Sequence, residues 1–364
     1  MNSSQATKES VPSLCMAAES DFENLQQPSF FFQGFLILYV IINIIMAPVA
    51  VVLNALVMIA VKTKSQLRAQ KSNVVLAMLA LTDFLVGILA QPIFIAGIIS
   101  ILLQKSNGQS YATQILSFAI ANSLFTSSLL HLVLASGERY VAIKHPYQYI
   151  TIVTEVRLLV ASLLAWLLSV TVHILLAVDP VVFFSINSTV IGLSVAIIVF
   201  CHCSVYFETQ RHEHQIAVQQ VTPEARKQFE KDRKAFKVTS IVIGVLMLCC
   251  TPLIFCRSVL FQLYIPSLNT FHIIIFFATT VVFFNSLLNP VIYCIRIRQF
   301  RVAFIELTFR NVNFARAEEK ERQWFGEPNA AKRREAGQDQ GRQDWENVER
   351  ANVQQNSTDA GQIT

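Results

Sequence analysis

The chain has 364 residues, of which 53% are hydrophobic and only 15% are charged, with a formal net charge of +5. This composition is too apolar for an ordinary soluble domain. It indicates a membrane as the surroundings and gives no reason to expect a nucleic-acid partner. The apolar residues gather in segments of about 20 residues or more, the length that a helix needs to cross a bilayer. Because lipid cannot hydrogen-bond to backbone groups, segments of this length are expected to be helices, and the predicted fold class is an all-α membrane protein.

Seven apolar segments follow one another along the chain and predict a bundle of seven transmembrane helices within residues 34–297. The segments are 34–61, 73–103, 111–137, 156–179, 186–207, 238–265 and 271–295. Lysine and arginine are concentrated in the loops after segments 1, 3 and 5. Such loops remain in the cytoplasm, so residues 1–33 are expected to be extracellular and the C-terminus cytoplasmic.

The residues after segment 7 divide into two parts. Residues 298–310 place apolar and basic side chains on opposite faces of a helix directly after a membrane span. This pattern predicts a short amphipathic helix on the inner membrane surface. Residues 311–364 mix acidic and basic residues with many Gln and Asn and few apolar anchors, which predicts a disordered cytoplasmic tail.

Asp83 is the main polar residue inside the spans, because it lies in the middle of segment 2, in LALTDFLVG, with no basic residue near it. An acid at this depth needs a partner or a function. It is either protonated in a hydrogen-bonded pocket or part of an ion site. The candidate partners in segments 3 and 7 are Ser128, Asn285, Ser286 and Asn289. One carboxylate with hydroxyl and amide oxygens suits a small hard cation such as sodium.

Two charged residues, Glu138 and Arg139, stand side by side at the end of segment 3, in LASGERYVAIKHP. They either mark the membrane boundary or form a switch in which Arg139 is held by Glu138 and by Asp232, just before segment 6. Pro252 and Pro290 each remove a helix hydrogen bond, from segments 6 and 7 respectively. Two kinked helices beside one polar cluster indicate that these helices move.

These motifs resemble those of the rhodopsin-like (class A) G-protein-coupled receptors. They cover roughly residues 34–310 and occur in the family's order: Asn54, LALTD with Asp83, ERY at 138–140, Trp166, Tyr206, Pro252, NPVIY at 289–293, and Phe300. The resemblance implies a plasma-membrane receptor that transmits an extracellular or membrane-borne ligand signal to heterotrimeric G proteins. It implies no enzymatic activity and no cofactor other than an allosteric sodium ion.

The resemblance also implies roles for these residues. The expected activation switch and G-protein coupling site comprises Glu138, Arg139, Tyr140, Tyr206, Asp232, Pro252, Asn289, Pro290 and Tyr293. Tyr206 and Tyr293 are expected to pack near Arg139 in the active state. The sodium pocket is expected to comprise Asp83, Ser128, Asn285, Ser286 and Asn289.

The sequence departs from the family pattern at several positions. Gln114 replaces the usual Cys at the top of segment 3, and the second outer loop, about 180–185, is short and lacks Cys. Ile198 replaces the segment-5 Pro, and Cys250 replaces the segment-6 Trp. The missing disulfide, short loop and missing Pro resemble the group of melanocortin, lysophospholipid, cannabinoid and adenosine receptors.

The ligand is predicted by elimination and by the apolar residues that remain. Amine receptors have an Asp in segment 3, where this chain has Ala121. The expected pocket residues are Phe94, Phe118, Ala121, Phe125, Arg257 and Phe276. Arg257 either extends to the outer surface or binds a carboxylate or phosphate. A lipid-like or small acidic ligand follows, and a constitutively active receptor without a required ligand stays open.

Two further predictions concern modification and an alternative class. Asn2 and Asn187 begin glycosylation sequons on the predicted outer side. A membrane transporter is the alternative class, although it would need several acids along a path, whereas Asp83 is the one acid in the middle of a span. The sequence shows no nucleophile with a paired base, no zinc-ligand spacing and no phosphate-binding loop, so an enzyme is not expected.

Overall fold

The computed structural model of the chain describes residues 30–103, 108–218, 233, 236–245, 247–249, 268–309 and 313–325. These residues are helical, apart from short links and caps, and contain no strand. The all-α fold class predicted from composition is therefore confirmed for this part of the chain.

Six described helices are long and apolar enough to cross a membrane. They are span 1, Phe30–Thr63; span 2, Lys71–Leu102; span 3, Leu116–Lys144, within helix Gly108–Lys144; span 4, Glu155–Val178; span 5, Pro180–Val218; and span 7, Leu268–Arg296. Span 6 is described only at residues 236–245 and 247–249, which are helical. The six helices agree with six of the seven predicted segments and extend beyond most of their ends.

The connection between spans 4 and 5 is shorter than predicted. Span 4 ends at Val178 and span 5 begins at Pro180, so Asp179 alone links the two helices. The expected loop at 180–185 is wrong, because these residues are the first turns of span 5. Proline suits the first position of a helix, and the Asp179 carboxylate accepts a hydrogen bond from the Val182 backbone N–H at 3.2 Å.

Two short helices follow the last span, and the chain divides into the units Met1–Phe304 and Ile305–Thr364. The surface helix, Arg298–Thr308, occupies the position where an amphipathic helix is predicted. The tail helix, Phe314–Phe325, contradicts the prediction of disorder for these residues. Side-chain pairs one helical turn apart explain the difference: Lys320 lies 5.7 Å from the Trp324 ring centre, and such local pairs stabilise a helix that composition alone does not reveal.

Spans 1, 2, 3 and 7 share an apolar core at the end of the bundle where span 1 begins. The core residues are Phe32, Leu36, Tyr39, Met46, Val86, Ala90, Phe94, Ile98, Ile101, Leu124 and Phe283. Gly87 lets spans 1 and 2 approach closely, because a β-carbon there would lie 2.6 Å from a Val51 methyl group. This core and the Gly87 contact fix the relative positions of the helices that carry Asp83 and Asn289.

Candidate functional site

The two charged residues at the end of span 3 form an ion pair with each other. Both are buried, with Glu138 3% and Arg139 5% exposed. The Arg139 Nε atom donates a hydrogen bond to one carboxylate oxygen of Glu138 at 2.5 Å, and a terminal guanidinium nitrogen donates to the other oxygen. Removing one partner of a buried pair leaves an uncompensated charge. The pair is therefore built into the bundle and is not a solvated boundary marker.

Tyr149 is a third member of this site that the sequence analysis missed. Its hydroxyl donates a hydrogen bond to Glu138 at 2.5 Å. Tyr149 lies on the loop helix, Pro146–Ile152, in the connection between spans 3 and 4. Tyr149 lies in the stretch HPYQYITIVT, residues 145–154, and nothing in the spacing of this stretch reveals a contact with Glu138.

A cavity of about 320 Å³ adjoins the pair at the same end of the bundle. Its walls come from spans 2, 3, 6 and 7 and from the start of the surface helix. The lining residues are Gln70, Ser72, Asn73, Leu76, Ala135, Glu138, Val238, Thr239, Arg296, Ile297, Arg298, Gln299 and Arg301. A partner segment entering this cavity would meet Glu138 directly. Asp232, the second predicted partner of Arg139, lies outside the described residues, as does Pro252.

The three tyrosines predicted for the switch have different surroundings. Tyr140 packs against Phe200 of span 5, with ring centres 5.9 Å apart. Tyr293 is fully buried and packs against Phe300 of the surface helix at 5.8 Å. Tyr206 is half exposed, and its ring contacts the neighbouring Phe207. The structure thus links Tyr293 to the surface helix, and it places Tyr206 on the exposed face of span 5.

Asp83 is buried in span 2, and its direct contacts are with span 7. The Asn289 side-chain N–H donates to the Asp83 carboxylate at 2.8 Å. The Ser286 side chain also hydrogen-bonds to this carboxylate. The Asn54 side chain of span 1 donates to the Ser286 backbone carbonyl at 2.9 Å. Spans 1, 2 and 7 are thereby joined around one acidic group.

The oxygen atoms in this region fit a hard cation. The Ser128 hydroxyl and the side-chain carbonyls of Asn285 and Asn289 are buried and accept no hydrogen bond from the described residues. Buried polar atoms in membrane spans normally have partners. A carboxylate with hydroxyl and amide oxygens is the donor set that hard cations prefer. All five predicted residues are buried, although the structure shows direct hydrogen bonds only among Asp83, Ser286 and Asn289.

Irregular helix geometry accompanies the acidic site. Directly after Asp83, residues Val86–Ala90 form a π-helical turn, a feature that often occurs at functional sites. Pro290 lies inside the span 7 helix, next to Asn289. A proline removes one backbone hydrogen bond from its helix, so both helices that hold the Asp83–Asn289 contact deviate from regular α-helix beside it.

The predicted ligand pocket is an aromatic cluster in this structure. The Phe94 ring contacts Phe276 and Phe283 edge to face, at 5.5 and 5.3 Å between ring centres. Ala121 packs against the same core, whereas Phe118 and Phe125 are half buried on span 3. Arg257 lies outside the described residues, so its two interpretations stay open.

A polar network beside this cluster was also missed by the sequence analysis. The Gln91 side-chain N–H donates to the side-chain carbonyl of Asn43 at 3.2 Å, and the side-chain N–H of Asn43 donates to the Thr280 hydroxyl at 3.1 Å. The Tyr39 hydroxyl donates to the Ile273 backbone carbonyl at 3.1 Å. Polar residues in segments 1 and 2 were the available signal, but only the packed bundle shows that they meet.

The glycosylation site expected at Asn187 stays a prediction. Asn187 lies within the span 5 helix and is half buried, and its side-chain oxygen accepts a hydrogen bond from the Thr126 hydroxyl of span 3 at 3.4 Å. Asn2 lies outside the described residues. Within those residues, no group of three or more His, Cys, Asp or Glu side chains has a metal-binding arrangement.

The fold and the site define a multi-pass membrane protein whose helices carry a buried acid in the bundle and a buried ion pair at one end. Residues 53–180 and 176–293 match the family described as 7 transmembrane receptor (rhodopsin family). The chain belongs to this family, and the predicted receptor class and seven-helix fold are confirmed.

Individual relatives are distant. The alpha-1A adrenergic receptor of Oryzias latipes is 25% identical over 234 residues, which is 50% of this chain and 48% of the relative. The alpha-1D adrenergic receptor of Homo sapiens is 25% identical over 240 residues, 50% of this chain and 41% of the relative. The adenosine receptor A2b of Gallus gallus is 24% identical over 305 residues, 73% of this chain and 86% of the relative. The chain thus spans about half the length of the adrenergic relatives it matches.

Proposed function

We propose that this receptor transmits a ligand signal to heterotrimeric G proteins through Arg139. The observation that carries the proposal is the buried Glu138–Arg139 pair beside a cavity of about 320 Å³. A partner segment that enters the cavity would compete for Glu138 and free the guanidinium. Since a buried charge is costly when unpaired, the pair and the partner-bound state are alternative arrangements of one switch.

A sodium ion at Asp83 is part of this proposal. Asp83 would supply the charge, and Ser128, Asn285 and Asn289 would supply neutral oxygens that accept no hydrogen bond from the part of the chain that the structure describes. The ion would hold spans 2 and 7 in the arrangement seen here and would thereby favour the closed switch. The proposed location is the plasma membrane, with the N-terminus outside and the C-terminus in the cytoplasm.

The proposed ligand is lipid-like or a small acid, because the predicted pocket is apolar. An amine ligand is not proposed, because Ala121 supplies no carboxylate. The aromatic contacts of Phe94 with Phe276 and Phe283 support a second candidate. In this candidate, a constitutively active receptor that needs no ligand, contacts among the receptor's own aromatic side chains would take the place of a ligand.

The test is G-protein activation in cells without added ligand, measured with an energy-transfer sensor for each main G-protein class. Wild type is compared with Arg139→Ala and with Arg68→Ala, a matched control because Arg68 is 57% exposed and pairs with Glu155 at the surface. We expect a signal above empty vector that disappears in Arg139→Ala and persists in Arg68→Ala. A signal that survives loss of Arg139, at equal surface expression, would refute its proposed role.

A second experiment covers the case in which wild type activates no G protein without added ligand. The same cells receive a panel of lysophospholipids, fatty acids and small carboxylic acids. In parallel, the purified protein in liposomes is assayed for flux of the same compounds. Activation of a G protein supports the receptor proposal. Flux without any G-protein response would favour the transporter alternative and refute the coupling proposed here.

A further inference from the structure

Several contacts hold the loop helix, and those that lead to the switch lie around one residue, Tyr149. At the end of this helix, the Arg157 side chain also donates hydrogen bonds to the Thr151 and Ile152 backbone carbonyls, at 2.8 and 3.1 Å. The loop helix has no buried residue of its own, and Tyr147 and Ile150 are 97% and 74% exposed. A helix of seven residues is not stable by itself. Its anchor is Tyr149, which packs against an apolar cluster that includes Val75 and Ala135 and donates its hydroxyl hydrogen bond to Glu138.

Lys71, the first residue of span 2, makes two contacts with the loop helix and its end. Its ammonium group lies 5.3 Å from the centre of the Tyr149 ring, in a cation–π arrangement. The same group donates a hydrogen bond to the backbone carbonyl of Val153. Val153 is the extended residue that ends the loop helix. One cation therefore holds both the ring of the anchor and the end of the helix that carries it.

We propose that Lys71 is a positioning residue of the switch, which acts through Tyr149 on the Glu138–Arg139 pair. This inference rests on the proposed function of that pair. With Lys71 in place, the Tyr149 hydroxyl is directed at Glu138, and the carboxylate is held by Tyr149 as well as by Arg139. Without the cation, the Tyr149 ring and the Val153 carbonyl lose this support. The Tyr149 hydroxyl, which among the described contacts is the donor to Glu138 from outside span 3, is then held less firmly.

Neighbouring charges provide a matched control. Arg68, just before span 2, and Glu155, at the start of span 4, form a second ion pair at 2.7 Å, with side chains 57% and 41% exposed. Ion pairs with this much exposure contribute little to stability. Loss of Arg68 removes a positive charge from the same surface without disturbing the proposed path from Lys71 to Glu138.

The first measurement is hydrogen–deuterium exchange of the purified full-length receptor in detergent, read at the backbone amides of residues 146–152. Lys71→Met keeps the length of the side chain and removes its charge. We expect Lys71→Met to raise the exchange rate about threefold to tenfold, from loss of the cation–π contact and of a charged hydrogen bond. Lys71→Arg, which restores a cation, and Arg68→Ala are expected to stay close to wild type.

The second measurement is basal G-protein activation of the same variants. Lys71→Met and Tyr149→Phe are each expected to raise basal activity several-fold, and the double variant is expected to do no more than Tyr149→Phe alone. Additive effects would overturn the inference, because Lys71 would then act by another route. Wild-type exchange in Lys71→Met, or an equal increase in Arg68→Ala, would also overturn it.

The two proposals fail in different ways. If the exchange data show the expected pattern while no variant activates any G protein, the positioning role holds and the proposed coupling fails. If wild type activates a G protein through Arg139 while Lys71→Met changes neither exchange nor basal activity, the coupling holds and the role of Lys71 is refuted.

Discussion

Replacing Gly87 by alanine tests the packing that brings the Asp83 site together. The added β-carbon would lie 2.6 Å from a Val51 methyl group and 3.1 Å from the Ala47 backbone carbonyl of span 1. Real β-carbons do not approach another atom as closely as the first distance. Val51 is β-branched and has little rotational freedom, so span 1 and span 2 must separate slightly.

The expected cost follows from this overlap. Overpacking a well-packed contact costs about 1–3 kcal/mol, whereas replacing glycine by alanine within a helix contributes about 0.5–1 kcal/mol of stability. Gly192 provides the matched control, because it is exposed on span 5 and a β-carbon there meets nothing within 4 Å. Both variants gain the same helix propensity from alanine. The difference between their free energies of unfolding therefore reports the steric overlap at Gly87 alone, about 1–3 kcal/mol.

The assay is thermal unfolding of the detergent-purified receptor, followed by the fraction that stays monodisperse after heating. Gly87→Ala is expected to unfold at a lower temperature than wild type, and Gly192→Ala at an equal or higher one. Val51→Ala should recover part of the loss in the Gly87→Ala background, since it removes the 2.6 Å contact and leaves the 3.1 Å contact to Ala47. Equal midpoints for the two alanine variants would refute the close approach of spans 1 and 2.

Two other predictions concern the same region. Sodium chloride is expected to stabilise wild type relative to potassium chloride at equal ionic strength, raising the free energy of unfolding by about 1.4 kcal/mol when sodium is at ten times its dissociation constant. The unfolding midpoint should rise accordingly, and Asp83→Asn should abolish the difference between the two salts. An Asp83→Asn variant that keeps the difference would exclude the site. Asn54→Ala is expected to lower the free energy of unfolding by about 1 kcal/mol, because the buried Ser286 backbone carbonyl loses its hydrogen-bond donor. Thr63→Ala, whose exposed hydroxyl bonds only within its own helix, is the control, and an equal effect of both would contradict the span 1–span 7 bond.

The Asp83 region shows how much of a polar site can be predicted from residue types alone. Amide, hydroxyl and carboxylate side chains at the right positions predicted a polar cluster between spans 2 and 7, and the Asn289–Asp83 hydrogen bond agrees with that grouping. The sequence contained no indication that Asn54 closes the cluster through the Ser286 backbone. A backbone carbonyl is present in every residue, so only its position in the packed bundle distinguishes it.

The switch shows a different limit. Glu138 and Arg139 were identified because two charges at the end of an apolar segment need an explanation, whatever the fold. Tyr149 and Lys71 were not identified, because a tyrosine and a lysine outside the apolar segments need no explanation. Their contacts join residues of three separate elements, and such contacts leave no periodic signal in the chain.

The sequence by itself determined the membrane class, the positions of six described spans and the residue types of the polar sites. The physical reason is that transfer of a segment into lipid depends on its own composition. Tertiary structure alone decided the single-residue link at Asp179, the contact of Asn187 with Thr126, and the contact of Tyr149 with Glu138. Each of these depends on where one element lies relative to another, and composition does not specify that.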